Sequence, residues 1–329
     1  MNQPVRISYV IIAVLLVLVT WLHLGTLLLT ALFGYLALQL FSFRRSKILS
    51  LAIYLVVVAI IGVGLVYLSR LAYLILPKIA ETSIPAMVGF AEKNGMELPF
   101  SDYASLKGIA LDEAKEGIAT IGRYAKVASF QFVLLLAGLV VAASIFLNPT
   151  WTVENDPLIA PGSFYASVTR ELAIRFKNLY QSFAIVIGAQ LVISSINTGL
   201  TAVFLVCNGF PYAVLLVMLT FVCGLLPIVG NLVSNILIVG VGFMVSPRAA
   251  IFALIFLVVI HKLEYFLNSK IIGKRINNPM WLTLIGLVVG ERLMGVAGMI
   301  FAPVVLHYVK VEASAYRSSP ENPSPPALL

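Results

Sequence analysis

The sequence predicts an all-α polytopic membrane protein with about eight apolar passages, which include re-entrant or half-length helices, plus interfacial amphipathic helices. Apolar residues make up 60% of the 329 positions and charged residues only 11%, whereas soluble domains carry about 25% charged residues. The apolar runs are continuous, unlike the alternating pattern of membrane strands. Several runs exceed the roughly 20 residues that a helix needs to cross the hydrocarbon core.

The net charge of +8 indicates Lys and Arg in cytoplasmic loops, where they set orientation, and not a nucleic-acid partner. We therefore expect a bacterial-type inner (plasma) membrane protein with both termini in the cytoplasm. The first apolar run is too long for a signal-peptide core, which predicts an uncleaved first span. Cys207 and Cys223 lie in apolar segments without a CxxC and are predicted to be reduced packing residues.

The first segment, 1–76, is predicted to contain an N-terminal transmembrane hairpin and a third span. No charge occurs between Arg6 and Arg44, so this stretch is either a hairpin bending near 23–26 or one strongly tilted helix. The hairpin returns both arginines to the cytoplasmic side. The third span is expected at about 48–70.

Residues 77–127 form a predicted extracytoplasmic amphipathic region, in which charged and apolar positions are interleaved. We expect one helix to start near Ser83–Pro85 and to stop at 93–95, and a second to begin near Ser101. The region is either a structured lid over a pathway or a simple connector. Residues 128–162 then supply a fourth span and a polar cytoplasmic loop.

Residues 163–312 are predicted to form an amphipathic helix followed by a transmembrane transport core. Apolar residues recur every three or four positions from Ser163 onward, with Arg170, Arg175 and Lys177 between them. This helix either lies on the cytoplasmic surface or contacts neighbouring helices. The remaining residues, 313–329, are low in complexity and are predicted to be a disordered cytoplasmic tail.

A break is predicted inside the transport core, after a fifth span that ends near 207–211. The chain carries no charge from Asn178 to Pro247, yet "LLPIVGN" (225–231) contains a proline, a glycine and an asparagine. A continuous span here would deliver the following basic cluster, Lys262 to Arg275, to the outside. Since basic residues favour the cytoplasm, we expect the chain to reverse between two short helices.

The last apolar block, Pro279 to Val309, is too long for one crossing and is predicted to be a hairpin or two half-helices. Glu291 and Arg292 interrupt it. Adjacent side chains on a helix point apart, so we expect each to pair with a different element. Gly286 and Gly290 have the spacing for close helix packing.

Three segments together resemble the autoinducer-2 exporter family, also called PerM-like permeases: "LLPIVGN" (225–231), "HKLEYFLNSKIIGKRINNPMW" (261–281) and "GERLMGVAGMIFAPVV" (290–305). The resemblance implies a transporter that forms homo-oligomers, pentamers in the best-described branch. It also implies export of a small signalling molecule or, as in some relatives, sodium/proton antiport. The family's motif positions fall on Pro227, Gly230, Glu264, Gly273, Lys274, Gly295, Gly298, Ala302 and Pro303.

Polar residues near the break are the candidate pathway lining. A proline interruption frees backbone carbonyls, which predicts that those at 223–226 are available to a cation or a hydroxylated solute. The structural alternative is that the polar side chains bond neighbouring helices, that Glu264 pairs with Lys270 or another basic neighbour, and that Glu291 and Arg292 hold the turn. The predicted set is Pro227, Gly230, Asn231, Asn235, Gln190, Asn197, Glu264, Asn268, Glu291 and Arg292.

The favoured function is secondary transport, not driven by ATP, of a small polar solute or ion. The alternatives are a sodium/proton antiporter or passive oligomeric pore, and a membrane organiser that transports nothing. No phosphate loop, hydrolase motif or metal-ligand spacing among His23, His261 and His307 is present. We therefore expect no enzyme activity, cofactor or metal, and we expect the bilayer and other copies of the chain as partners.

Overall fold

The computed structural model describes residues 3–42, 46–95, 121–148, 162–226, 229–267 and 279–315, and within these ranges it contains only helices and their connections. Five helices are long and apolar enough to cross a membrane, and three shorter apolar helices accompany them. The predicted all-α polytopic membrane class is confirmed. The helices are α1 (Gln3–Trp21), α2 (Gly25–Leu40), α3 (Lys47–Lys93), α4 (Ile121–Leu147), α5 (Phe164–Cys207), α6 (Ala213–Gly224), α7 (Val229–Val245), α8 (Pro247–Leu267) and α9 (Met280–Ala315).

The N-terminal apolar stretch forms two helices, α1 and α2, and not one tilted helix. They are separated by residues 22–24, where His23 adopts a left-handed conformation with φ of 53°. The bend predicted near 23–26 is confirmed. The fifth span also ends as predicted, because α5 stops at Cys207 and Gly209 follows with φ of 63°.

Helix α3 runs without interruption through 47 residues, so the helix start predicted at Ser83–Pro85 is wrong. Pro77 and Pro85 both lie inside the helix. Membrane helices tolerate such prolines because neighbouring groups satisfy the freed backbone. At 1.5 Å per residue the helix is about 70 Å long, which exceeds the roughly 30 Å hydrocarbon core. The predicted glycine stop is confirmed, with Asn94 as cap residue and Gly95 at φ of 69°.

The predicted break in the transport core is confirmed. Helix α6 ends at Gly224 and α7 begins at Val229, and the two helices pack against each other. A single continuous rod could not make that contact, so the chain reverses between them. The predicted pathway residue Pro227 lies outside the described residues.

The last apolar block is a helical hairpin. Met294 and Gly295 have non-helical backbone angles, and Gly295 has φ of 59°, a conformation that favours glycine. A Cβ atom added to Gly290 would collide with the Gly298 carbonyl, and one on Gly286 would lie 3.2 Å from Leu306. The small residues therefore allow the two arms to approach closely, as predicted.

Several predictions fall outside the described residues: the second extracytoplasmic helix near Ser101, the polar loop before Gly162, the pathway residue Asn268, the motif residues Gly273 and Lys274, and the C-terminal tail beyond Ala315. The five segments drawn from the sequence stay a prediction.

The chain divides into two compact units. Unit 1 comprises 1–18, 150–186 and 278–329, and unit 2 comprises 19–149 and 187–277. The apolar core of unit 2 is built from α3, α5, α6, α7 and α8, and its most buried members are Leu205, Leu215, Leu216, Ile238, Val241 and Ala253. A second cluster in the same unit joins α2, α3 and α4 around Tyr54.

Unit 1 contains a buried ionic network between α1, α5 and α9. Arg175 Nη1 donates to Glu312 Oε2 at 2.8 Å, and the Tyr9 hydroxyl donates to the same oxygen at 2.8 Å. Asn178 Nδ2 donates to Glu312 Oε1 at 2.9 Å, while Glu171 accepts from Arg175 Nη2 at 3.0 Å. The Arg175 side chain is 10% exposed. This part of α5 therefore contacts neighbouring helices, which was one of the two predicted alternatives.

Replacing Glu312 by Gln should lower the free energy of unfolding by about 3 kcal/mol, because it leaves the buried Arg175 without its main counter-charge. Glu171→Gln is the matched control. Glu171 is more exposed than Glu312 and lies one turn before Arg175 on α5. Its replacement should therefore lower the free energy of unfolding by only about 0.5 kcal/mol. Denaturant titration of the purified full chain measures both. Equal losses for the two variants would contradict a dominant role for Glu312.

Candidate functional site

The helix break in unit 2 is capped by polar side chains of α5. Gln190 Nε2 donates to the Gly224 carbonyl at 2.6 Å, and the Ser194 hydroxyl donates to the Phe221 carbonyl at 3.0 Å. The backbone N–H of Leu226 donates to the Cys223 carbonyl at 2.8 Å. The carbonyls at 223 and 224, which the sequence predicted to be free for a ligand, therefore already have donors. Gln190 satisfies the end of α6 and does not line the cavity described below.

Gly230 allows α7 to begin directly beside the end of α6. A Cβ atom at this position would overlap the Cys223 carbonyl, which is backbone and cannot move aside as a side chain could. The glycine of the break is thus required by the close approach of two backbones. The same approach fixes the first turn of α7, which carries Asn231.

Asn231 and Glu264 form a polar pair between α7 and α8. Asn231 Nδ2 lies 2.8 Å from Glu264 Oε1 and 2.7 Å from Oε2, so one amide group donates to both carboxylate oxygens. His261 Nδ1 is 3.9 Å from Glu264 Oε2, and the Glu264 side chain is only 13% exposed. The tight connection at Ser246 makes α7 and α8 an antiparallel pair, which brings residues 33 apart in sequence together.

A small polar cavity surrounds this pair. Its volume is about 20 Å³, enough for one water molecule or one ion of similar size. The Asn197 Oδ1 atom is buried and accepts no hydrogen bond from the described residues. The lining comprises Asn197, Thr201, Thr220, Asn231, Ser234, Asn235, Leu257, Ile260, His261 and Glu264.

The chemistry of this lining favours a small hard cation or a proton. Glu264 supplies the negative charge, and the side chains of Asn197, Thr201 and Thr220 supply neutral oxygen atoms. Oxygen donors of this kind suit hard cations, whereas softer metals prefer nitrogen or sulfur. Thr220 directs its hydroxyl proton to the Leu216 carbonyl at 2.8 Å, which leaves its oxygen lone pairs available.

Four predicted pathway residues meet in this cavity: Asn197, Asn231, Asn235 and Glu264. The sequence-based set missed Thr201, Thr220 and Ser234, and it did not include His261, which was considered for metal binding. Helical spacing could have found two of them, because Thr201 is four residues after Asn197 and Ser234 is three after Asn231. Thr220 lacks such a signal, since no other predicted residue lies on α6.

Glu291 and Arg292 belong to unit 1. Arg292 Nε lies 3.8 Å from Glu291 Oε2, and the two side chains are 85% and 52% exposed, respectively. The expectation that each pairs with a different element is therefore wrong for the described residues. The distance exceeds that of a hydrogen bond, so the pair is a weak surface interaction.

Replacing Asn231 by Ala should destabilise the chain by about 1–3 kcal/mol, because the buried Glu264 carboxylate loses its amide donor. Asn235→Ala is the matched control, since Asn235 lines the same cavity one turn later but makes no hydrogen bond with the described residues. Thermal unfolding of the purified full chain compares the two. A smaller loss for Asn231→Ala than for Asn235→Ala would contradict the pairing.

Comparison with known proteins places the chain in a family. Residues 5–318 match the family described as AI-2E family transporter. Two Bacillus subtilis (strain 168) proteins are similar over shorter stretches. One, named "Putative transport protein YueF", is 36% identical over 138 residues, which is 41% of this chain and 37% of the relative. The other, "Putative transport protein YdbI", is 27% identical over 132 residues, which is 40% of this chain and 38% of the relative.

The matched stretches thus cover well under half of each relative. The family match, in contrast, extends over nearly the whole chain and includes the helix break, the Glu264 helix and the C-terminal hairpin. The chain therefore belongs to the AI-2E transporter family, and its apolar helices make it a multi-pass membrane protein.

Proposed function

We propose that this protein is a gradient-driven secondary transporter of a small polar solute or ion, and that its polar cavity binds an ion during transport. The observation that carries the proposal is the Glu264 carboxylate, held by Asn231 beside an interrupted helix. An acid inside the bilayer costs about 2.5–3.5 kcal/mol on insertion scales and is usually functional. Interrupted helices next to polar cavities are a common design of ion and solute sites in transporters.

The size of the cavity favours an ion as the species bound there. A volume of about 20 Å³ accepts one water-sized particle, whereas a sugar-like solute does not fit. This supports the sodium/proton antiporter alternative, or a transporter in which an ion at Glu264 drives the movement of a separate solute. Export of an autoinducer-2-like solute remains part of the proposal through the family match.

The proposal includes the cellular setting of the protein. The distribution of basic residues favours an inner-membrane protein with both termini in the cytoplasm, and the family resemblance favours a homo-oligomer. Protease accessibility of terminal tags in sealed vesicles tests the orientation. Chemical cross-linking of the purified full chain tests the assembly, and a monomer at all concentrations would contradict it.

Reconstituted into liposomes, the full chain should carry sodium, protons or an autoinducer-2-like sugar in response to an imposed pH or sodium gradient. Glu264→Gln should reduce this flux at least tenfold, because it removes the charge that pairs with the ion. Glu92→Gln, which neutralises an exposed acid at the end of α3, should leave the flux unchanged.

The same assay separates the competing functions. A passive pore would conduct without a gradient-coupling ion and would retain its flux in Glu264→Gln. A membrane organiser would pass none of these solutes. Full gradient-driven flux in Glu264→Gln would show that the cavity is not the transport site.

A further inference from the structure

A large apolar groove lies next to the polar cavity in unit 2. Its volume is about 1,000 Å³, at the upper end of the range for small-molecule sites. Its walls are α3, α7 and α8, with side chains such as Ile79, Met87, Ile236, Leu254 and Val258. Neither the ion site nor the packing of the unit explains a groove of this size.

The polar residues of the groove are concentrated at one end. Asn231 and Asn235 lie at the start of α7, and His261 and Lys262 lie at the end of the antiparallel α8. Nine residues further along α7, about 13 Å away by helical rise, the wall is formed by Gly240 and apolar side chains. Ser83 lines the wall too, but its hydroxyl donates to the Ile79 carbonyl at 2.6 Å. The groove thus has a polar head end and an apolar body.

The charge at the head end selects an anion. Lys262 and His261 are the ionisable residues of the described groove lining. The acid Glu264 lines the adjoining polar cavity, where its two carboxylate oxygens already accept from Asn231. Asn235 makes no hydrogen bond with the described residues, so its amide can donate to a ligand. The Asn235 amide and the Lys262 ammonium group together supply hydrogen-bond donors for a small planar carboxylate. No arginine fork, the best partner for a bulkier phosphate head, is among the described residues that line the groove.

We propose that this groove binds a single-chain amphiphile with a carboxylate head, the head at Asn235 and Lys262 and the alkyl chain along α3, α7 and α8. The groove and the polar cavity share the residues Asn231, Asn235, Leu257 and His261. A ligand in the groove therefore contacts the wall of the ion site. The role of the amphiphile as transported cargo rests on the secondary-transport function proposed above. Its binding to the groove can be measured without a transport assay.

The test is equilibrium binding of radiolabelled dodecanoate to the full chain in phosphatidylcholine nanodiscs, with empty nanodiscs as background. Dodecanoate should bind saturably, and dodecanol and dodecyltrimethylammonium should bind at least tenfold more weakly. Lys262→Gln should weaken dodecanoate binding about tenfold or more, because it removes a charged hydrogen-bond donor, and should leave dodecanol binding unchanged. Equal affinity for the acid and the alcohol would overturn the proposal.

A second pair of variants tests the apolar body. Gly240→Leu places a side chain in the groove, where even a Cβ atom would already lie 3.6 Å from the Ser83 hydroxyl. It should reduce dodecanoate binding at least tenfold, and Ala80→Leu on the opposite wall should do the same if Gly240→Leu fails to fold. Gly62→Leu is the control, since nothing lies within 4 Å of that position.

Native mass spectrometry of the purified protein identifies the competing occupant. A bound phospholipid that dodecanoate does not displace would overturn the proposal in favour of a bilayer lipid. Saturable dodecanoate binding without gradient-driven flux would keep the groove site and reject secondary transport. Gradient-driven flux without dodecanoate binding would keep secondary transport and reject the groove site.

Discussion

The need to satisfy backbone carbonyls in an apolar environment determines the structure around the helix break in unit 2. An α-helix leaves its last four carbonyls without internal partners, and hydrocarbon offers no water to replace them. Where α6 ends, Gln190 and Ser194 on α5 supply the missing donors. Because the end of α6 is capped in this way, α7 can begin beside it, and Asn231 can reach Glu264. The polar cavity thus depends on amide and hydroxyl groups that do not line it themselves.

The sequence predicts the interruptions of the fold well, because each carries a local chemical signal. The break at 227–230 combines proline and glycine with a charge distribution that only a reversal explains, and the hairpin at Gly295 lies in a run too long for one crossing. In both cases the constraint acts over a few residues. The contact between Asn231 and Glu264 can also be inferred. Once the chain reverses at the break and turns tightly at Ser246, the start of α7 lies beside the end of α8.

Other features depend on long-range packing and cannot be read from local patterns. Pro85 resembles a helix start, yet α3 continues through it, which membrane helices allow where neighbouring groups satisfy the freed backbone. The sequence places Arg175 on the polar face of its helix. In the structure Arg175 is buried, where it pairs with Glu312, a residue far along the chain. Thr220 has no spacing signal, and α6 packing on α7 alone brings it to the cavity. The carbonyl ligand predicted at Gly224 failed for the same reason, since its donor, Gln190, comes from another helix.

The Arg175 network also bears on how the protein is made. Arg175 and Glu312 are separated by 137 positions, which at about 5–20 residues per second corresponds to roughly 7–27 seconds of synthesis. During that interval the guanidinium group must stay out of the hydrocarbon or be partly neutralised. Glu171, one turn earlier on the same helix and 3.0 Å away, is translated before Arg175 and provides that temporary partner. The closing acid arrives with α9, so α1 and α5 become joined to it only after α9 has been synthesised.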